Sequence, residues 1–425
     1  MKQTRIYRII QKCLFILITS ASCLSAGTEK PNIWVYSDLT DPRDQREGGH
    51  PKGDPDDLVS LASLLLSANR FHIESIVLGS GSFADILNPV ELIEEIFVPA
   101  YEDHVAHLKE ENSGYQQSIH FQWSSVTRNS GWPRIFKEDR DYRDLNDYET
   151  VQGLAEYAKD HEVYVLVWGA LTEPAILVKH LLHTGQEAVL KNITIITHWS
   201  QSFVRSMHPE ALKTDPHMVT NCKMDRKACL YLHQQAKDGR VKMIQLGCVG
   251  QSGIVDGSAN YPRIEEFDQS RLGQIFISGK YNKNRADQSD ASTYWLLASD
   301  LHFNLNDYPN DGSLTKEIEE RNIVRFQQRA PSIMDNLLVR SNASNGTPYP
   351  ASLIAEYFCY AYYRWGHYCI YAPNPVPFRI LSPEGTLEKE GTLKRWDNSI
   401  DLPKKEQGYY TVELLFPDRT VRKPL

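Results

Sequence analysis

Four acidic residues stand close together near the start of the chain: Asp38, Asp54, Asp56 and Asp57. Asp38 ends the short apolar run Asn32-Ile-Trp-Val-Tyr-Ser37, which reads as a buried strand. Asp54-Pro55-Asp56-Asp57 precedes Leu58, Leu61, Ala62 and Leu65, the apolar face of a helix. Asp54 suits the N-cap, Pro55 the first helical position, and Asp56 and Asp57 the positive end of the helix dipole. Capping accounts for one or two of these acids. With Asp38 facing them, the set repels itself unless a cation lies among them. Oxygen-only ligands of this kind favour Ca2+ or Mg2+ over zinc. Capping and a hard-cation site are both open at this point.

Other residues with usable chemistry lie at predicted strand ends. Ser80 follows the run Phe71–Leu78, Thr172 follows Val163–Trp168, and His198 and Trp199 follow Ile193–Ile196. His198 could protonate a leaving group, and Trp199 could stack on a sugar or base. The plain alternative is a packed aromatic in a loop. His50, in Gly48-Gly49-His50-Pro51, reads as a solvated loop residue or as one folding over the site. These strands alternate with helical segments at Val90–Ile96, Glu149–Lys159, Glu173 onward and Asp225–Ala236, and Val241–Leu246 is a further strand. The alternation implies an α/β fold with a mostly parallel sheet flanked by helices. Such sheets bind ligands beyond the carboxyl ends of their strands.

The order of these elements resembles the aspartate fingerprint of inosine–uridine-type nucleoside hydrolases. More closely, it is similar to the bacterial nucleoside-hydrolase-like family of cellulose-binding proteins and domains of unknown function. Ser37-Asp38-Leu39 and Asp54-Pro55-Asp56-Asp57 stand for that family's strand-end Asp and Glu-Pro-Asp-Asp. Trp168-Gly-Ala-Leu-Thr-Glu173 stands for its Gly-Pro-Leu-Thr-Asn, and Thr220-Asn221-Cys222 with Asp225 and Ala228 for its sugar-binding Asn segment. Asp287-Gln-Ser-Asp290, before the helix Ala291–Ala298, stands for its last metal Asp. The match spans about residues 30–300. It implies that Asp38, Asp57, the Thr172 carbonyl and Asp290 hold Ca2+, with Asp287 the other candidate for the last position. It implies that Asp56 and Asn221 bind sugar hydroxyls and that Asp38 takes a proton from the attacking water; Ser80, Trp199 and His198, the last as acid, are added as candidates from their places at strand ends.

Several positions depart from the family. Ser289 stands where a leaving-group His is frequent, Ser80 where an Asn is expected, Val219 where a Glu is expected, and Thr197-His-Trp-Ser200 where Met-Gly-Gly is expected. The metal pole is retained while the ribose- and base-reading groups are changed. A different glycoside, with an N- or O-glycosidic bond, or loss of catalysis follows. The resulting expectation is an exported calcium-dependent glycosyl hydrolase acting on a small glycoside, nucleoside or oligosaccharide. The alternative is a non-catalytic binder of cellulose-like polysaccharide. A phosphohydrolase ranks last, since Asp38-Leu-Thr-Asp41 lacks the D-x-D spacing.

The remainder of the chain sets limits. Its 425 residues carry 46 Lys+Arg and 54 Asp+Glu, a net charge of -8. An acidic balance argues against nucleic acid as partner. Lys2, Arg5, Arg8 and Lys12 before Leu14–Ile18 and a small-residue stretch read as a signal peptide over 1–26, implying a periplasmic or extracellular protein and a mature charge of -12. No later segment is apolar and long enough to span a membrane. A nucleoside-hydrolase-like domain is expected over 27–335, an aromatic-rich connecting segment over 336–375, and a small all-β, sandwich-like module over 376–425. The aromatic run from Tyr357 to Tyr371 reads as a core between domains or as a polysaccharide platform. Cys222 and Cys229, read as two turns apart on one helix, are expected to be beyond disulfide reach, while Cys359 and Cys369 could pair. Self-association is left open.

Overall fold

The computed structural model describes residues 30–83, 85–108, 113–128, 135–206, 209–364, 366–403 and 410–425. The segment read as a signal peptide lies outside the described residues. Six strands form the main sheet: β1 (Asn32–Ser37), β2 (His72–Leu78), β3 (Phe121–Trp123), β4 (Val163–Val167), β5 (Ile193–Thr197) and β6 (Lys242–Gln245). Their spatial order is β3-β2-β1-β4-β5-β6, and every pairing is parallel.

Both faces are covered, which explains why the central strands read as unbroken apolar runs. Along β1, Ile33 and Val35 enter one core while Trp34 and Tyr36 enter the other, as the two-residue period of a strand requires. The helix Asp56–Leu66 is buried at all of its positions, so it is apolar around most of its circumference. The strand order reverses beside β1. The chain moves outward through β2 and β3, then returns to lay β4 on the other side of β1. The crevice between the ends of β1 and β4 is therefore the topological switch point, where a doubly wound sheet leaves room for a ligand.

The C-terminal part is antiparallel. Strands β7 (Tyr360–Arg364), β8 (His367–Ala372) and β11 (Trp396–Ile400) form one sheet in the order β11-β8-β7. Strands β9 (Val376–Leu381), β10 (Leu387–Leu393), β12 (Thr411–Leu415) and β13 (Thr420–Pro424) form the other, in the order β10-β9-β12-β13. A separate core of Ile370, Phe378, Ile380, Val412 and Leu414 lies between them. The aromatic segment supplies the helix Ala351–Phe358 and strands β7 and β8. Pro31–Leu425 forms one compact unit. Among the described residues, no helix is long and apolar enough to cross a membrane.

Two local expectations are corrected. Cys222 and Cys229 form a disulfide with their Cα atoms 5.3 Å apart. An unbroken helix would separate them by about 10 Å. The chain instead leaves the helical region at Asp225 (φ -140°, ψ 82°), ending the Thr220–Met224 turn and starting the helix Arg226–Lys237. Asp225 caps that second helix by accepting from the Ala228 amide at 3.2 Å. The Cys359–Cys369 pairing is not made, and Cys359 is a buried thiol. The other correction concerns Asp54. The helix begins at Asp56 without a side-chain cap, and Asp54 bonds Lys280 instead.

Candidate functional site

The acidic residues meet at the switch point. Asp38 lies just past β1, with Gly169 just past β4 beside it. A Cβ on Gly169 would fall 2.7 Å from both Cβ and Cγ of Asp38, so only glycine lets the two strand ends approach this closely. From the first turn of the following helix come Asp56 and Asp57. From a segment more than 230 residues later comes Asp290. One carboxylate oxygen each of Asp56, Asp57 and Asp290 lies within 4.8 Å of the others. Asp38, Asp56, Asp57 and Asp290 are all buried.

Few hydrogen bonds compensate this burial. Asp57 accepts from the Ser37 hydroxyl. Asp290 Oδ2 has the Ser60 hydroxyl at 3.4 Å, and Asp56 Oδ2 accepts from the Ser289 hydroxyl at 3.0 Å. Asp56 Oδ1 is buried without a partner. Burial, with the Asp54 charge next, pushes the Asp38 carboxyl up to about 7, against hydrogen bonding to Asp57. Burial followed by neighbouring carboxylates drives Asp56, Asp57 and Asp290 well above the ordinary range. Burial first, and then their mutual repulsion, favours the protonated form of these acids.

This donor set fits a hard divalent cation. Ca2+ takes oxygen ligands at about 2.3–2.6 Å, so two ligands across it stand up to about 5 Å apart, and the three carboxylate oxygens all lie within 4.8 Å of one another. Thr172, read from the sequence as a carbonyl ligand, is buried in the first turn of the helix Thr172–His183. Its hydroxyl donates to Asp225 Oδ2 at 2.8 Å, which fixes the turn that follows β4. Asp287, the other candidate for the last metal position, faces Lys280 instead, its Oδ2 3.2 Å from Nζ. Asp290 is the one that joins Asp56 and Asp57; Asp38, read from the sequence as a ligand, lies outside this group, and Asp56, read as a sugar binder, lies within it.

His198 reaches the same place from the end of β5. It is buried, and Nε2 lies 3.7 Å from Asp290 Oδ1 and 3.0 Å from the Gln251 amide nitrogen. Burial lowers its pKa to about 3, so the ring is neutral and its contact with Asp290 is not an ion pair. With Gln251 Nε2–H donating to Nε2, the proton rests on Nδ1, which is buried and unpartnered. Trp199, at φ 48°, donates its indole N–H to the Arg205 carbonyl at 3.2 Å.

Two residues assigned to substrate have other engagements. Asn221 donates its amide to the carbonyls of Trp168 and His198, each at 3.0 Å, tying the ends of β4 and β5 together. Ser80 Oγ accepts from the amides of Ser82 and Phe83, closing the turn after β2. Ser80 also lines a narrow cleft with Tyr36, Thr172 and Glu173. Glu173 is buried and accepts from the Ser124 and Thr150 hydroxyls, and burial raises its pKa to about 7. His50 is half-buried and packs edge-on against Tyr362, with ring centroids 5.5 Å apart. Sequence reasoning missed Ser37, Ser60, Gln251 and Lys280. Ser37 and Ser60 are adjacent to, or one helical turn from, recognised acids, which is a usable signal. Gln251 and Lys280 carried none.

Residues 50–210 match the model of a family described as cellulose-binding Sde182, nucleoside hydrolase-like domain. That span holds Asp56, Asp57, Thr172 and His198, while Asp38, Asn221 and Asp290 fall outside it. A nucleoside hydrolase-related hypothetical protein from Saccharophagus degradans, associated with carbohydrate metabolism, is similar in structure. It has a TM-score of 0.46 and 11% identity over 93% of this chain and 99% of its own. The effector protein XOO4466 has a TM-score of 0.42 and 11% identity over 74% of this chain and 94% of its own. No curated protein matches the sequence.

Proposed function

We propose that the protein, whose residues 50–210 match the model of a nucleoside hydrolase-like domain, takes up Ca2+ in its acidic pocket, holds a carbohydrate there and cleaves a glycosyl bond. One observation carries this reading: the buried carboxylates of Asp56, Asp57 and Asp290 converge within 4.8 Å of one another, and Asp56 Oδ1 and His198 Nδ1 have no hydrogen-bond partner among the described residues. Like charges in that arrangement are costly unless a cation joins them. When bound, Ca2+ would balance Asp56, Asp57 and Asp290 beside Asp38, grip sugar hydroxyls and orient a water.

The chain's own groups supply the rest. Asp38, buried just past the end of β1, is placed to accept the proton of the attacking water. Asp56 has one unpartnered oxygen to accept a sugar hydroxyl. The flanking carboxylates stabilise positive charge developing at the anomeric carbon. His198 is too weakly basic to arrive as an imidazolium, and it contributes Nδ1–H as a neutral hydrogen-bond donor to the departing group.

The polysaccharide reading follows the cellulose-binding description of the matching family, and a cellulose-like glucan is the corresponding ligand. Export is supported by the Cys222–Cys229 disulfide, because such bonds persist in oxidising compartments. A second reading, glycan binding without cleavage, is favoured by the commitment of the Asn221 amide and the Ser80 hydroxyl to backbone groups. Turnover of aryl glycosides and nucleosides, with and without chelator and beside Asp38→Ala, separates the two. Calcium-dependent turnover lost in Asp38→Ala supports hydrolysis. Retention on cellulose without turnover supports the second reading. Failure of calcium to bind at all would refute the cation site.

A further inference from the structure

Around the buried acids lies an outer set of charges that the proposed chemistry does not use. Lys280 Nζ is 2.8 Å from Asp54 Oδ1, 3.2 Å from Asp287 Oδ2 and 3.6 Å from Asp56 Oδ2. One ammonium therefore serves three carboxylates, and Asp56 belongs to both the outer and the inner group.

Lys280 is held by a small hairpin. The Asp287 amide donates to the Lys280 carbonyl at 3.0 Å, Tyr281 bridges to Ala286, and the Asn282 amide donates to Arg285 at 3.0 Å. Lys283 and Asn284, at φ 53° and 63°, make the two-residue turn, a left-handed pair that suits a tight hairpin. The hairpin is gripped from outside by the C-terminal β module. The Tyr281 ring stacks on Trp396 at the start of β11, with centroids 3.5 Å apart and planes at 12°. Trp396 is itself fixed, donating its indole N–H to the Ile277 carbonyl at 3.1 Å. The preceding Arg395 pairs with Asp268 at 2.5 Å.

We infer that Lys280, held by the Tyr281–Trp396 stack, is a positioning residue that balances Asp54, Asp56 and Asp287 and so confines the divalent cation to the inner acids. The inference rests on the cation reading above, and it makes the C-terminal module a working part of the pocket. Its physical content is a sign. A fixed positive charge beside a cation site weakens cation binding, whereas a merely structural lysine strengthens it by keeping the site intact.

The test is calorimetric titration of calcium into the full chain and three variants. Lys280→Met removes the charge and is expected to tighten calcium at least about tenfold, as loss of a unit charge several ångströms from a divalent ion implies even at the dielectric of water. Lys280→Arg keeps the charge and should titrate as the parent. Trp396→Ala keeps the charge but frees its tether, and an intermediate tightening is expected. Folding of each variant is checked by its thermal melt, and Trp396→Ala carries the test if Lys280→Met does not fold. Unchanged or weaker calcium binding in folded Lys280→Met, or in Trp396→Ala where that variant carries the test, overturns the inference alone. Absence of calcium binding in the parent overturns the cation reading, and the inference falls with it.

Discussion

Asp57→Asn should raise the stability of the calcium-free protein while abolishing its response to calcium. Asp57 is 1% exposed, and an oxygen of its carboxylate lies within 4.8 Å of oxygens on both Asp56 and Asp290. Two unit charges at about that separation repel by roughly 3 kcal/mol at an effective dielectric of about 20. The folded protein escapes part of this by protonating, as the raised carboxyls indicate, so a net gain of about 2 kcal/mol is expected from neutralising Asp57. For the unit Pro31–Leu425, an unfolding entropy of about 0.8 kcal/mol/K makes this a rise in Tm of about 2–3 °C. Calcium at about 100 times its Kd adds about 2.7 kcal/mol to a protein with one site, or about 3 °C. The assay is a pair of thermal melts per variant, one in chelator and one in calcium at pH 7. Parent protein should shift by about 3 °C on adding calcium, and Asp57→Asn should start higher and not shift. The reasoning is refuted if Asp57→Asn melts below the parent in chelator and still responds to calcium. Asp57 would then be a structural acceptor for Ser37 and nothing more.

Three other outcomes follow from particular contacts. Gly169→Ala puts a methyl 2.7 Å from Asp38 Cβ and Cγ; it should cost calcium affinity at least tenfold by displacing Asp38, read by the same titration. Reduction of the Cys222–Cys229 disulfide, or Cys222→Ser, should lower stability by about 2–3 kcal/mol for so short a loop, and alkylation of the denatured, unreduced protein should leave both residues unmodified. His104 is buried with neither ring nitrogen partnered, and burial, then Arg340, lowers its pKa to about 4. The unfolded chain takes up that proton near pH 6.5 and the folded chain only near pH 4. Its stabilising contribution is therefore complete above about pH 6.5 and is lost as the pH falls toward 4, by about 3 kcal/mol. His104→Phe should flatten that part of the stability profile in denaturant melts, and an unchanged slope would count against it.

The inner acids were legible because each sits at an element boundary with a local signature. Asp38 ends an apolar run and Asp56 and Asp57 open an apolar helix, so a strand end and a helix start could be placed from spacing alone. Asn221 was legible as a residue but not in its use, since its partners are carbonyls at the ends of two strands. The Cys222–Cys229 bond was misread because helical periodicity was extended through Asp225, where a capping carboxylate restarts the helix in a new direction.

By itself, the sequence determined the periodicities, and with them the parallel α/β class, the strand-end acids and the antiparallel C-terminal module. Those follow from backbone geometry and burial within a dozen residues. The tertiary structure alone decided that β1 and β4 are neighbours, that Asp290 closes the acid group, and that Lys280, braced by Trp396, balances its outer half. Apart from Lys280 with Asp287, such pairings join residues more than a hundred positions apart. Strand order and domain docking set them, and no local pattern of side chains encodes either.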